Sequence, residues 1–228
     1  MSNPYFRFKQ FTVWQDQCGM KVGTDGCLLG AWAHGGHRIL DIGTGTGIMA
    51  LMMAQRFETA RVTAIDIDAA AVRQASDNVS RSPFSARIQV EQADILAYHA
   101  AESYDTIVSN PPFFIDSLAS PDEQRTLARH AQSLSYEALT HAAAQLLSDE
   151  GEFSVVVPFD YRSRMESAAA LASLSLCRSC AVRTSPRKPP RRYLLAFRKQ
   201  AAVPAPQTEL TIGSADFESL LSPFYLNL

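Results

Sequence analysis

The chain has 228 residues, 46% of them hydrophobic, and a net charge of −2. That length and apolar content suit one folded domain and exclude a disordered or fibrous chain. No apolar stretch reaches membrane-spanning length, and MSNPYFRFKQ lacks the apolar segment of a secretory signal, so a cytoplasmic protein with reduced thiols at Cys18, Cys27, Cys177 and Cys180 is expected.

The first predicted element is a strand or hairpin over residues 6–15, FRFKQFTVWQ, where apolar and polar residues alternate. A glycine-rich turn and an apolar helix follow in KVGTDGCLLGAWA, residues 21–33. From residue 38 strands and helices alternate. RILDIG (38–43) reads as a buried strand, 47–57 as a helix with an apolar stripe, and RVTAIDI (61–67) as a second buried strand. Asp68 is placed to cap a helix ending near Arg81. RIQVEQAD (87–94) and YDTIVSN (104–110) are strands, 134–147 a helix, 151–158 a strand and 161–174 a helix. LCRSCAVRT (176–184) and RYLLAFRK (192–199) are strands joined by SPRKPP, too short for a crossover helix, so they pair antiparallel. The pattern predicts an α/β fold: a doubly wound, seven-stranded, mostly parallel sheet with a terminal antiparallel strand and a short N-terminal β extension. The expected organisation is one domain over 1–228, with an extension at 1–33, a core at 34–200 and a tail at 201–228 that begins with the linker-like AVPAPQ.

Charge is segregated along the chain. Residues 167–208 contain no Asp or Glu but carry Arg178, Arg183, Arg187, Lys188, Arg191, Arg192, Arg198 and Lys199, eight of the 21 basic residues. Such a segment is the footprint of a polyanion-binding face or, more plainly, of a solvated basic surface. Cys177 and Cys180 have CxxC spacing, but no second pair completes a metal set, so no metal is expected. His34 and His37 read as surface residues.

Asp41-Ile42-Gly43-Thr44-Gly45-Thr46-Gly47 joins the first core strand to its helix. Glycines there let a ligand approach the backbone. Asp66 ends the next strand, where a carboxylate accepts from both ribose hydroxyls of a nucleoside, and Asp94 ends the third, where it can meet an adenine amino group. The spacing G-x-G-x-G, preceded by an acid, departs from the G-x-G-x-x-G of nicotinamide enzymes. It suits a cofactor with a cationic amino-acid part rather than a pyrophosphate.

Asn110-Pro111-Pro112-Phe113 follows the fourth strand. The prolines fix two φ angles and remove two donors, making a stiff, non-helical platform. The Asn110 oxygen and the Pro111 carbonyl can accept both hydrogens of a planar amine, and Phe113 can stack on its ring. Aromatics at Tyr5, Phe6, Phe8, Phe11 and Trp14, with Arg7 and Lys9, are candidates to flank a splayed base or to form a hydrophobic layer under the hairpin.

With Asp66 and Asp94 at successive strand ends, D-x-G-x-G-x-G over residues 38–199 resembles the class I, Rossmann-like S-adenosylmethionine-dependent methyltransferases, and NPPF resembles the motif of their amine-methylating members. More narrowly, KVGTDGCLLGAWA, DIGTGTGIMALMMAQR, SNPPFF and the terminal LSPFYL resemble the bacterial tRNA1(Val) (adenine-37-N6)-methyltransferase family nearly end to end. The resemblance implies S-adenosylmethionine as donor, tRNA as partner and N6-methyladenosine as product. It implies that Asn110, Pro111, Pro112 and Phe113 form the catalytic platform. Lys21, Thr24, Asp41, Gly43, Thr44, Gly45, Asp66, Ile67, Asp94, Ile95 and Asn110 would border the donor. Gly23 and Asp25 would lie beside it, Asp25 having a helix cap as its plainer role. Arg187, Lys188, Arg191 and Arg192 would contact RNA phosphates, and a monomer with no membrane and no metal partner is expected. Residues 116–130, including Asp116, Asp122, Glu123, Arg125, Arg129 and His130, are expected to order on substrate binding. A guanine N2 amine in ribosomal RNA, adenine in DNA, a protein glutamine amide, and a non-catalytic RNA-binding role are the alternatives that remain open.

Overall fold

The computed structural model describes residues 3–19, 21–112, 134–200 and 205–227. A short antiparallel hairpin, β1 (Tyr5–Arg7) and β2 (Thr12–Trp14), precedes helix α1 (Thr24–Trp32). Then β3 (Arg38–Ile42), α2 (Ile48–Arg56), β4 (Arg61–Asp66), α3 (Ala69–Ser80), β5 (Ile88–Gln92) and β6 (Tyr104–Ser109) alternate. They are followed by α4 (Tyr136–Leu146), β7 (Leu147–Pro158), α5 (Arg162–Leu171), β8 (Ser175–Arg183), β9 (Arg192–Arg198), β10 (Gln207–Thr211) and α6 (Ala215–Leu221). The main sheet has the order β10-β8-β9-β7-β6-β3-β4-β5, with β9 antiparallel to both neighbours and the remaining pairs parallel.

The sheet therefore has eight strands rather than the expected seven. The added strand, β10, lies in the stretch read as a tail and pairs parallel with β8. Its sequence QTELT is mostly polar and its first three residues are exposed, as an edge strand allows, so no apolar run announced it. The expected C-terminal pair, β8 and β9, is antiparallel as read.

Parallel strands covered on both faces must be apolar at successive positions. Ile39, Val108, Val156 and Leu194 face one layer, with α1, α2 and the hairpin, while Leu40, Ile107, Val155 and Leu195 face the other, with α4 and α5. Helix ends follow local chemistry. The Asp68 carboxylate accepts from the Ala70 N–H at 2.9 Å and starts α3, and Ser135 caps α4 through the Ala138 N–H.

The hairpin is fastened to the core from two sides. The Asn78 amide, fully buried on α3, accepts from the Trp14 N–H at 2.8 Å and donates to the carbonyls of Trp14 and Thr46, each at 2.9 Å. On the other side Phe6, Phe8 and Phe11 cluster with Phe84 and Tyr225, and the Lys9 N–H donates to the Phe224 carbonyl at 2.7 Å. Phe8 and Phe11 are 2% and 5% exposed. Both are structural and unavailable to stack on a base, whereas Tyr5 is exposed and packs on the half-buried Trp14. Asn78→Ala is expected to cost about 2–3 kcal/mol in urea denaturation, because it strands buried backbone groups at Trp14 and Thr46.

Much of the basic segment is neutralised within the fold. Glu152, 2% exposed on β7, accepts from Arg178 at 2.6 Å, pairs with Arg198 at 3.4 Å and meets His34 at 3.1 Å. Burial would raise the Glu152 pKa, but the Arg178 hydrogen bond and charge outweigh it and hold the carboxyl low. Arg178 also stacks 3.5 Å over the Trp32 ring, so this cluster ties the end of α1 to the sheet, and the exposed His34 joins it from the surface. Arg183 pairs with Glu209, Arg192 with Asp25 and Lys199 with Asp149. The residues of the basic segment left without an acidic partner among those described are Arg187, Lys188 and Arg191. None of the four cysteines is joined in a disulfide. No described helix is long and apolar enough to cross a membrane.

Candidate active site

Because β3, β4, β5 and β6 are parallel, their carboxyl ends share one edge of the sheet. Strand β3 lies between β4 and β6, so successive crossovers leave it in opposite directions and open a crevice at the switch point. The loop after β3, the carboxylates after β4 and β5, and the platform after β6 converge there.

The loop is held from beneath. Asp41 is fully buried, and its Oδ2 accepts from the Thr44 hydroxyl at 2.6 Å and the Ala50 N–H at 3.1 Å. The N–H groups of Gly43 and Thr44 donate to the Ile65 carbonyl at 2.9 and 3.0 Å, and Gly45 donates to Asp66 Oδ2 at 2.9 Å. Gly43, Gly45 and Gly47 have φ of 71°, 57° and 81°, so the turn requires glycine at all three. A Cβ on Gly43 would meet open space, whereas one on Gly47 would lie 3.3 Å from Ala75. Gly43 thus faces the crevice and Gly47 allows α2 and α3 to close. With these N–H groups already engaged, the loop is no phosphate cradle, in keeping with the departure from the nicotinamide spacing.

Asp41 was expected to face a cationic group. Its enclosure makes it an anchor of the loop instead, with Oδ1 lacking any hydrogen-bond partner. Burial pushes its carboxyl up to about 7, opposed by the bonds from Thr44 and Ala50. Below about pH 4 both folded and unfolded chains hold the proton. As pH rises toward 7 the unfolded chain ionises first, so stability is lost through that window. Asp41→Asn removes this dependence. The stability gap between variant and wild type is expected to widen in the variant's favour by about 2–3 kcal/mol between pH 5 and pH 7, then level off. Urea melts at stepped pH measure it, and a gap that narrows would contradict the assignment.

Asp66 fits its expected place at the end of β4. Its Oδ1 accepts from the Asp68 N–H at 3.0 Å and its Oδ2 from Gly45, so the carboxylate is aimed while each oxygen keeps a lone pair for a further donor. Burial raises its pKa against those bonds. Ile67 is 48% exposed beside it, an apolar surface open to a ring. Asp94 is exposed and caps a short turn, Ile95–Ala97, through the Leu96 N–H, and Ile95 is buried behind it. Asp68 is the helix cap and not a crevice ligand.

Asn110 follows β6, with Pro111 buried and Pro112 exposed. The Asn110 Oδ1 is buried without a hydrogen-bond partner. A Cβ added to Gly26 on α1 would come 3.9 Å from the Asn110 Nδ2, an ordinary contact distance, so α1 packs directly beside that amide. A buried amide oxygen unclaimed by the protein is costly, and a flat, amine-bearing ligand would satisfy it. Phe113, the fourth platform residue, and the whole of 116–130 lie outside the described residues.

Lys21 and Thr24 are exposed ahead of α1 and at its start. Asp25 is not the cap: Gly23 holds that position with no side-chain bond, and Asp25 pairs with Arg192 at 2.8 Å. Gly26 and Asn78 were not singled out by motif reading, and the pairing of Asp25 with Arg192, each named for a separate role, was not foreseen. GTDG was a signal for the first, since a glycine inside a helix pattern marks close approach. Among the described residues no group of His, Cys, Asp or Glu is placed to hold a metal. The open face of Gly43, the aimed Asp66, the exposed Ile67 and the unpartnered Asn110 Oδ1 fit S-adenosylmethionine and an amine substrate side by side.

Comparison with known proteins agrees with this geometry. Residues 26–173 match the methyltransferase small domain family. A Bacteroides thetaiotaomicron protein named tRNA1(Val) (adenine(37)-N6)-methyltransferase is 54% identical over 200 residues, covering 86% of this chain and 84% of its own. Proteins of the same name from Phocaeicola vulgatus and Serratia proteamaculans are 48% and 44% identical, covering 100% and 97% of this chain and 100% and 89% of theirs. Among solved structures, a predicted O-methyltransferase from Agrobacterium tumefaciens superposes with a TM-score of 0.64 at 21% identity, covering 88% of this chain and 96% of that one. A TehB-like S-adenosylmethionine-dependent methyltransferase from Corynebacterium glutamicum superposes with a TM-score of 0.53 at 18% identity, covering 80% and 90%. These last two speak for the fold alone.

Proposed function

The chain belongs to the tRNA1(Val) (adenine(37)-N6)-methyltransferase family, and on that footing we propose that it methylates N6 of adenosine 37 in tRNA1(Val) with S-adenosylmethionine as donor. The observation that carries the reading to this chain's own residues is the buried, unpartnered Oδ1 of Asn110 at the switch point of the sheet.

The bound donor supplies an electrophilic methyl group on a sulfonium. Asp66, aimed by the N–H groups of Gly45 and Asp68, accepts from the ribose hydroxyls. Asp94 accepts from the donor's adenine amine through the oxygen that Leu96 leaves open, and Ile67 covers the ring. Glycine at 43 lets the donor lie against the backbone.

The amine of the target adenine is a weak nucleophile because its lone pair is delocalised into the ring. The Asn110 Oδ1, free of protein partners, turns to one amine hydrogen, and the Pro111 carbonyl takes the other. Held so, the nitrogen lone pair localises along the line of attack. Asp66, Asp94 and the Gly43 turn would hold the donor to supply its methyl group to this nitrogen, whose surplus proton would pass to solvent afterwards. Positioning and fixed dipoles supply the rate, with no strong base required. We read Phe113 as the ring that stacks on the target base, and Arg187, Lys188 and Arg191 as phosphate contacts.

The direct test is methyl transfer from labelled S-adenosylmethionine to tRNA from cells lacking the modification, followed by nucleoside analysis and mapping. Label in N6-methyladenosine at position 37 is the expected result. Label in another base, or none with donor bound, would overturn the reading.

A further inference from the structure

The residues around the Asp25–Arg192 pair enclose a cavity of about 440 Å3. One wall is the start of α1, with Thr24, Asp25 and Leu28. The other is the end of β8 and the start of β9, with Val182, Arg191 and Arg192. Strand β8 runs parallel to β7 through the shared antiparallel β9, so this cavity opens on the same sheet edge as the crevice. The two sites share one helical turn: Thr24 and Asp25 line the cavity, while Gly26, the next residue, faces the Asn110 amide.

The lining has three kinds of chemistry in one place. Ile212, 39% exposed, gives an apolar surface, with the buried Leu28 and Val182 beneath the lining. Asp25 Oδ2 and Arg192 Nε, 2.8 Å apart, place a charged acceptor beside a charged donor. Arg191 is exposed, and its guanidinium has no acidic partner among the described residues. A bare anion would leave the apolar lining unused, and an apolar ligand would leave the ion pair and Arg191 unused. A nucleotide matches all three, with its ring on the apolar wall, its donor-and-acceptor edge on the ion pair, and its phosphate on Arg191.

We propose that this cavity is a subsite for a nucleotide flanking the methylated adenosine, read by the Asp25–Arg192 pair and held by Arg191. The proposal rests on the RNA reading above and adds to it a place where sequence around the target is sensed.

The experiment uses the full chain and a panel of RNA stem-loops that keep the target adenosine and vary the base on either side of it. Wild type is expected to prefer one base at one flanking position by about tenfold or more in kcat/KM. Asp25→Asn, which replaces one acceptor oxygen by an amide donor, is expected to flatten or redirect that preference. Arg191→Gln is expected to weaken binding of every panel member alike and to make the slope of log affinity against log salt shallower by about 0.7. Donor binding and thermal melting check that each variant is folded. An unchanged base preference in folded Asp25→Asn, or wild type methylating every flanking variant equally, would overturn the proposal. So would an unchanged salt slope in Arg191→Gln, which remains a test if Asp25→Asn does not fold. Wild type that methylates no member of the panel and no tRNA would instead overturn the RNA reading itself.

Discussion

Asn110→Ala is expected to lower kcat by about 10²–10³-fold while leaving S-adenosylmethionine affinity within a few-fold of wild type. The magnitude is that of removing one preorganised polar group from a site where charge shifts in the transition state. The separation of the two effects follows from the structure. The Asn110 amide makes no hydrogen bond to the glycine loop or to the carboxylates after β4 and β5, so its loss leaves the donor's contacts in place. Stability is expected to hold, since no protein group loses a partner. Single-turnover methyl transfer and calorimetric donor titration on the same preparation measure both quantities. Equal losses in the two would mean that Asn110 serves donor binding and not the amine.

Asp66→Ala should show the converse, a loss of donor affinity of about 10²–10³-fold, with the methyl-transfer rate at saturating donor much less affected. Two hydrogen bonds to a charged carboxylate, each contributing about 1.5–3 kcal/mol, account for the size. Part of the effect is indirect, because Asp66 also accepts from the Gly45 N–H and so holds the loop's shape. Asp66→Asn separates the two parts, since it keeps an acceptor for Gly45 but places an amide donor toward one ribose hydroxyl. Donor affinity in Asn intermediate between wild type and Ala is the expected order.

Legibility in the sequence tracked the range of the interaction. Asp68 as a cap and the break at Asn110-Pro111-Pro112 depend on neighbours two or three residues away, and both stand where the residue types placed them. The crevice carboxylates were legible because parallel strands bring their ends to one edge whatever the side chains between them. The partners of the basic segment were not. Asp25 and Arg192 lie 167 residues apart, and composition cannot say that they meet at 2.8 Å. Glu152 reads as one more polar residue near a strand's start, yet it is buried beneath two arginines from β8 and β9 and the imidazole of His34. The polyanion footprint therefore contracts from eight basic residues to the few that no acid claims. Asp41 shows a different limit: an acid at that position suits a cationic ligand or a buried anchor equally, and only its depth decides between them.

The fastening of the hairpin bears on how the protein comes into being on the ribosome. Asn78 holds the loop at Thr46 to the hairpin at Trp14, and the hairpin in turn is pinned by Phe224 and Tyr225 near the other end of the chain. Residues 5–15 thus complete their packing only once residues 224 and 225 have been made. Contacts of such long sequence separation form late in folding. The loop at Thr46, tied to that hairpin through Asn78, then gains its full support only once residues 224 and 225 are available to pack, so a nascent chain lacking them would hold the donor crevice less firmly.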